Sequence, residues 1–89
     1  MPETEALTRE AAAARGNAVI RALPAEVIEQ RRGTPIAVDV HSGDYEIDAD
    51  GWVATQRLRE RVPAARVFLG RVGELAYARI GWFPQGNRR

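Results

Sequence analysis

The sequence predicts an α+β fold in which an N-terminal helical arm or hairpin, residues 1–33, precedes a ββαββ module, residues 34–83. Three observations support this prediction: an apolar alternation with a period of two, an apolar repeat at helical spacing, and a second alternating stretch interrupted by glycine. Two hairpins separated by a helix favour a mainly antiparallel sheet of four strands. Residues 84–89 are a short basic tail, so we expect one domain overall.

Length and composition limit the class of protein. A chain of 89 residues is a small domain of marginal stability, so we expect a protein partner or a homo-oligomer such as a homodimer. Cysteine is absent, which excludes disulfides and thiolate metal sites. No run approaches the roughly 18 apolar residues of a membrane span, and the acidic start MPETEALTRE is not a secretory signal. We therefore expect a cytoplasmic protein with no membrane association.

Charge is distributed unevenly along the chain. All 13 basic residues are arginines, and the net charge is only +1. Residues 1–33 are balanced, residues 34–50 carry five acidic side chains and no arginine, and residues 51–89 carry eight arginines against two glutamates. Because nucleic-acid-binding domains are usually more basic than this, nucleic acid is a possible partner but not the favoured one.

The arm is predicted to contain two helices or one kinked helix. Thr4 can cap the first helix, whose acidic start suits the positive end of the helix dipole. Gly16 and Asn17 indicate a stop or a kink, Pro24 suits the first turn of the next helix, and Gly33 ends it. The richer apolar face follows the first glycine and contains Val19, Ile20, Leu23, Val27 and Ile28.

The segment NAVIRALPAEVIEQ, residues 17–30, places Leu23-Pro24 between two helical patterns. It resembles the helix–Leu-Pro–helix opening of many small antitoxin-like proteins from bacterial toxin–antitoxin operons. The resemblance implies a regulatory protein that binds another protein, and it transfers no functional residue to this chain.

The first hairpin is predicted from the alternation of residues 36–40. A two-residue turn at Ser42-Gly43 would place Val38 opposite Ile47. In the same register Asp39 would lie opposite Glu46, and like charges directly across two strands are destabilising. His41 and Asp44 complete an acidic cluster around the turn, in which we do not expect a metal because no helical pair of ligands supports one.

A helix is expected from about residue 50 to residue 62, capped by Asp48 or Asp50 and stopped by a proline. Ala54 and Leu58 recur at helical spacing and should face the sheet. Trp52 in its first turn either plugs the end of the sheet or acts as a hot spot for a partner. The predicted protein-binding residues are Val19, Ile20, Leu23, Trp52 and Trp82.

The second hairpin is expected to turn at residues 73–74, with Val67 and Leu69 on its inner face. Aromatic rings and arginines on an open sheet face can stack on bases and neutralise phosphates. If the N-terminal helices cover this outer face, Phe68 and Tyr77 are core residues instead. The residues of this alternative nucleic-acid-binding face are Arg66, Phe68, Tyr77 and Arg79.

Catalytic chemistry is not indicated. Ser42 is the only serine, and the chain has no GxSxG, HExxH or glycine-rich phosphate-loop motif. We therefore predict a small non-enzymatic protein-interaction or regulatory module, antitoxin-like and without a cofactor. A nucleic-acid-binding module is the alternative.

Overall fold

The computed structural model describes residues 7–74, which form three helices and one sheet. The elements in chain order are α1 (Arg9–Arg21), α2 (Ala25–Arg31), β1 (Pro35–Asp39), β2 (Tyr45–Ile47), α3 (Gly51–Arg61) and β3 (Val67–Arg71). This arrangement confirms the α+β class.

The prediction of a four-stranded sheet is wrong for this structure. The sheet has three antiparallel strands in the order β2-β1-β3, and the residues proposed for a fourth strand lie beyond residue 74, outside the described residues. The central position of β1 has a physical reason, since Ile36, Ala37 and Val38 are fully buried and therefore both faces of this strand must be covered.

Helix α1 is capped by Thr8, whose Oγ1 accepts a hydrogen bond from the backbone N–H of Ala11 at 2.9 Å. The predicted cap Thr4 lies outside the described residues. The helix continues through Gly16 and Asn17, so the predicted stop or kink there is wrong.

Glycine is required at position 16 for a different reason. A Cβ on Gly16 would collide with Cδ2 of Phe68, so the absence of a side chain lets α1 approach β3 closely. The two helices of the arm are confirmed, but their boundary lies at residues 22–24, with α2 starting after Pro24. The arm covers one face of the sheet and does not project from it.

The register of the first hairpin also differs from the prediction. Val38 pairs with Tyr45, and Ile47 pairs with Ile36, which is a shift of two residues. Residues 40–44 separate the two strands, and the N–H of Asp39 donates to the carbonyl oxygen of Asp44 at 2.8 Å. The predicted two-residue turn is therefore wrong. The expected repulsion between Asp39 and Glu46 does not arise, because Glu46 lies opposite Ala37.

Two apolar clusters hold the layers together, one on each face of the sheet. On the arm side the buried members are Ile20, Leu23, Ile36, Val38 and Val72. On the other side Ala54 and Leu58 of α3 pack against Ala37 of β1, which confirms their predicted orientation. Asp50 is the N-cap of α3, and its carboxylate accepts a hydrogen bond from the N–H of Trp52 at 2.9 Å. None of the helices between residues 7 and 74 has the length and apolar character needed to cross a membrane.

Candidate protein-binding surface

Most of the predicted protein-binding residues on the arm belong to the core. Ile20 is 1% exposed, Leu23 is also buried, and Val19 packs against the same cluster. Their apolar face is therefore occupied by the sheet and is not offered to a partner. Trp82 lies outside the described residues.

The predicted nucleic-acid-binding face is covered by α1 in the part that the structure describes. The ring of Phe68 is half-buried against Gly16. The guanidinium of Arg66 donates through Nη1 to the carbonyl oxygen of Leu7 at 2.7 Å. Neither side chain faces open solvent as a stacking platform or a phosphate contact would require. Tyr77 and Arg79 lie outside the described residues.

Trp52 does not plug the end of the sheet, because 67% of its surface is exposed. Its position follows from helix geometry. Trp52 precedes the buried Ala54 by two residues, and two residues correspond to roughly 200° around an α-helix. Once Ala54 and Leu58 face β1, the indole is carried onto the solvent side of the first turn.

Leu69 is the second large apolar side chain left on the surface, with 50% exposed. A Cβ on Gly51 would lie 3.2 Å from Cδ2 of Leu69, so this leucine reaches the start of α3, one residue away from Trp52. The sequence interpretation assigned Leu69 to the inner face. It lies on the same face as Ala37, but α3 packs mainly over β1 and β2 and contacts the outer strand β3 less, so Val67 is partly buried and Leu69 is left half exposed. We call Gly51, Trp52 and Leu69 the Trp52–Leu69 surface.

A positive charge lies along the same side of α3. Arg59 follows Trp52 by seven residues, which is two turns, and forms no ion pair with any residue between 7 and 74. Asp50 is engaged in capping the helix, and the exposed Glu60 lies one residue after Arg59, about 100° further round the helix. The Trp52–Leu69 surface therefore offers a ligand an apolar contact, and Arg59 offers it a positive charge on the same side of α3.

The other side of α3 is different, because its arginines are bound to the acidic hairpin. Arg61 donates from Nε to Glu46 at 2.8 Å, from Nη1 to Asp44 at 2.9 Å and from Nη2 to the carbonyl oxygen of Tyr45 at 3.1 Å. The hydrogen bond to Asp44, and to a smaller extent the one to Glu46, holds the pKa of Arg61 above its usual value. Arg57 pairs with the Asp48 carboxylate at 3.2 Å. These contacts attach β2 to α3.

Asp39 has a structural role at the start of the hairpin loop. Its carboxylate, in a residue only 2% exposed, accepts hydrogen bonds from the Ser42 hydroxyl at 2.7 Å and from the backbone N–H groups of His41, Ser42 and Arg66. Burial acts to raise the pKa of this carboxyl, but the four hydrogen bonds together outweigh it and hold the pKa below the usual value near 3.8. Across residues 7–74, no group of three or more potential ligands is arranged to hold a metal ion.

Comparison of the chain with protein-family models, curated proteins and solved structures finds no match.

Proposed function

We propose that this protein is a non-enzymatic interaction module that binds a short segment of a partner protein at the Trp52–Leu69 surface. One observation carries the proposal: Trp52 in the first turn of α3 and Leu69, which reaches Gly51 at the start of that helix, are the large apolar side chains that the described part of the fold leaves exposed. Tryptophan is enriched among the residues that contribute most to protein binding, and the adjacent Arg59 belongs to the same enriched set.

The size of the surface favours a short segment over a second copy of the chain. A buried aromatic side chain covers about 150–250 Å², so the exposed parts of Trp52 and Leu69 amount to roughly 200–300 Å². A stable protein interface buries about 800 Å² per partner. An apolar contact of this area suits an anchor residue of a peptide, with Arg59 placed to meet an acidic neighbour of that anchor.

A narrower version of this proposal names the partner as a toxin. Only the helix–Leu-Pro–helix resemblance supports it, and Leu23 of that motif serves the core of this protein.

The test is selection of binding peptides from a random library, followed by affinity measurements on variants. Trp52→Ala should weaken the selected peptides by at least about 2 kcal/mol, the range of binding hot spots. Because Trp52 is largely exposed, the same variant should keep the melting temperature of the parent protein. Gln30→Ala, an exposed change on α2, is the control and should leave affinity unchanged.

Two results would contradict the proposal. Peptides that bind Trp52→Ala as tightly as the parent protein would remove this surface from the function. A dimer in sedimentation that Trp52→Ala or Leu69→Ser dissociates would replace the partner segment with a second copy.

A further inference from the structure

The end of α2 and the end of β3 are joined side by side by backbone hydrogen bonds. The N–H of Gly33 donates to the carbonyl oxygen of Val72 at 2.8 Å, and the N–H of Val72 donates to the carbonyl oxygen of Thr34 at 2.9 Å. Gly33 and Gly73 both have positive φ, 85° and 80°, so each segment turns sharply at the place where they meet.

Two arginine side chains lie on this junction. Arg71 donates from Nη1 to the carbonyl oxygen of Gly33 at 2.8 Å, which holds its guanidinium against the α2 side. Arg32 lies over Gly73 from the opposite segment, since its Nη1 is 2.8 Å from the position that a Cβ on Gly73 would take. Glycine at position 73 therefore provides the space that the Arg32 side chain occupies.

The positive charge at this junction is not balanced by carboxylates within residues 7–74. In that part of the chain Arg32 and Arg71 form no ion pair, whereas Arg57 and Arg61 are bound to carboxylates of the first hairpin. Arg31 adds a third exposed guanidinium at the end of α2, which has no ion pair with the described residues either. The acidic residues nearest in sequence, at positions 29 and 74, are exposed and form no ion pair with any of the three.

We infer that Arg32 and Arg71 form a binding site for a phosphate-type oxyanion at the Gly33–Gly73 junction. Arginine presents several N–H donors in a planar fork that matches the oxygens of a phosphate group, and Arg71 uses only one nitrogen for the contact with Gly33. The space over Gly73 holds the Arg32 side chain, which keeps that guanidinium at the junction. The inference does not depend on the Trp52–Leu69 surface, because the two sites share no residue, although Leu69 and Arg71 both lie on β3.

The test uses inorganic pyrophosphate as the probe, at constant ionic strength maintained with sodium chloride. Amide chemical shifts report the site, and we expect the amides of Gly33 and Gly73 to move most. Arg32→Gln should weaken binding about tenfold, which corresponds to one charge-assisted hydrogen bond. Arg71→Lys keeps the charge but loses the planar fork, and it should also weaken binding; an unchanged affinity would contradict recognition by the fork.

The matched control is Arg15→Gln, which removes the same charge from an exposed position of α1 that forms no ion pair with the described residues. It should change the affinity by less than about twofold, as expected for a screened charge at a distance. An equal loss of affinity in Arg15→Gln and Arg32→Gln would show general attraction to a basic surface and overturn the inference. So would shifts spread over the whole chain with none concentrated at the two glycines.

Discussion

The contact between Gly16 of α1 and Phe68 of β3 leads to a prediction opposite to that of helix propensity. Replacing an exposed helical glycine with alanine stabilises a helix by about 1 kcal/mol. At position 16, however, the new Cβ would lie 2.5 Å from Cγ and 2.8 Å from Cε2 of Phe68, and it would be closer still to Cδ2. Ordinary carbon contacts lie near 3.5–4.0 Å, so the helix or the ring must move by more than about 1 Å.

The ring has little room in which to move. Cγ is bonded to the Cβ of Phe68 and shifts only if the whole side chain rotates, and the ring is packed against the arm-side core cluster. Overpacking costs about 1–3 kcal/mol, and we place this site in the upper half of that range. After subtraction of the helix-propensity gain, Gly16→Ala should reduce the free energy of unfolding by about 1–2 kcal/mol. The melting temperature should fall by roughly 5–15 °C for a domain of this size.

The assay is urea denaturation followed by circular dichroism, with sulfate added equally to all variants so that each remains folded. Arg15→Ala, the exposed neighbouring position, is the control and should change stability by less than about 0.5 kcal/mol. In a Phe68→Ala background the clash is gone, so Gly16→Ala should become stabilising by up to about 1 kcal/mol. If Gly16→Ala stabilised the parent protein as well, α1 would not pack on Phe68 and the placement of the arm would be wrong.

Three further predictions follow from the core, the buried carboxylate and the arginine contacts. Leu58→Ala should lower the free energy of unfolding by about 2–5 kcal/mol because its side chain is fully buried, whereas Leu69→Ala should change it by less than about 1 kcal/mol; equal effects would contradict the packing of α3. Asp39→Asn should lower the free energy of unfolding by about 1.5–3 kcal/mol near pH 7. Because the pKa of Asp39 is lower in the folded protein, its stabilising contribution is present above the unfolded pKa near 3.8 and is lost as the pH falls through the folded pKa. The melting temperatures of the parent protein and the variant should therefore converge in acid. Arg61→Gln should lower the melting temperature more than Arg57→Gln, since it removes three contacts to the first hairpin and not one, and the difference should shrink at high salt.

The types of the elements and the bounds of α3 could be predicted from the sequence. Helix α3 begins after Asp50, ends before the proline at position 63, and turns Ala54 and Leu58 inward, as the pattern indicates. These properties depend on interactions within a few residues, such as the carboxylate cap and the missing N–H of proline. The period-two pattern of residues 36–40 likewise predicts the strand β1, because alternation is a property of neighbouring residues.

The register of the first hairpin could not be predicted, because a buried side chain determines it. Asp39 accepts hydrogen bonds from His41 and Ser42 in the loop and from Arg66 at the start of β3, and these contacts favour a five-residue loop over the two-residue turn. The residue at position 66 is distant in sequence, so no local pattern indicates its contribution. The role of Gly16 is similar, since glycine reads locally as a helix stop and serves in the structure as the contact point for a strand.

Only the tertiary structure determined which apolar side chains are internal and which are available to a partner. Val19, Ile20 and Leu23 form an apolar stripe that suits an interface or a core equally well, and the arm folds onto the sheet and makes it core. Trp52 and Leu69 are exposed because β1 is the central strand and α3 packs over β1 and β2, away from the outer strand β3. The order of the strands depends on how all the elements together bury their apolar side chains. The periodicity of a sequence describes one element at a time, so it does not predict that order.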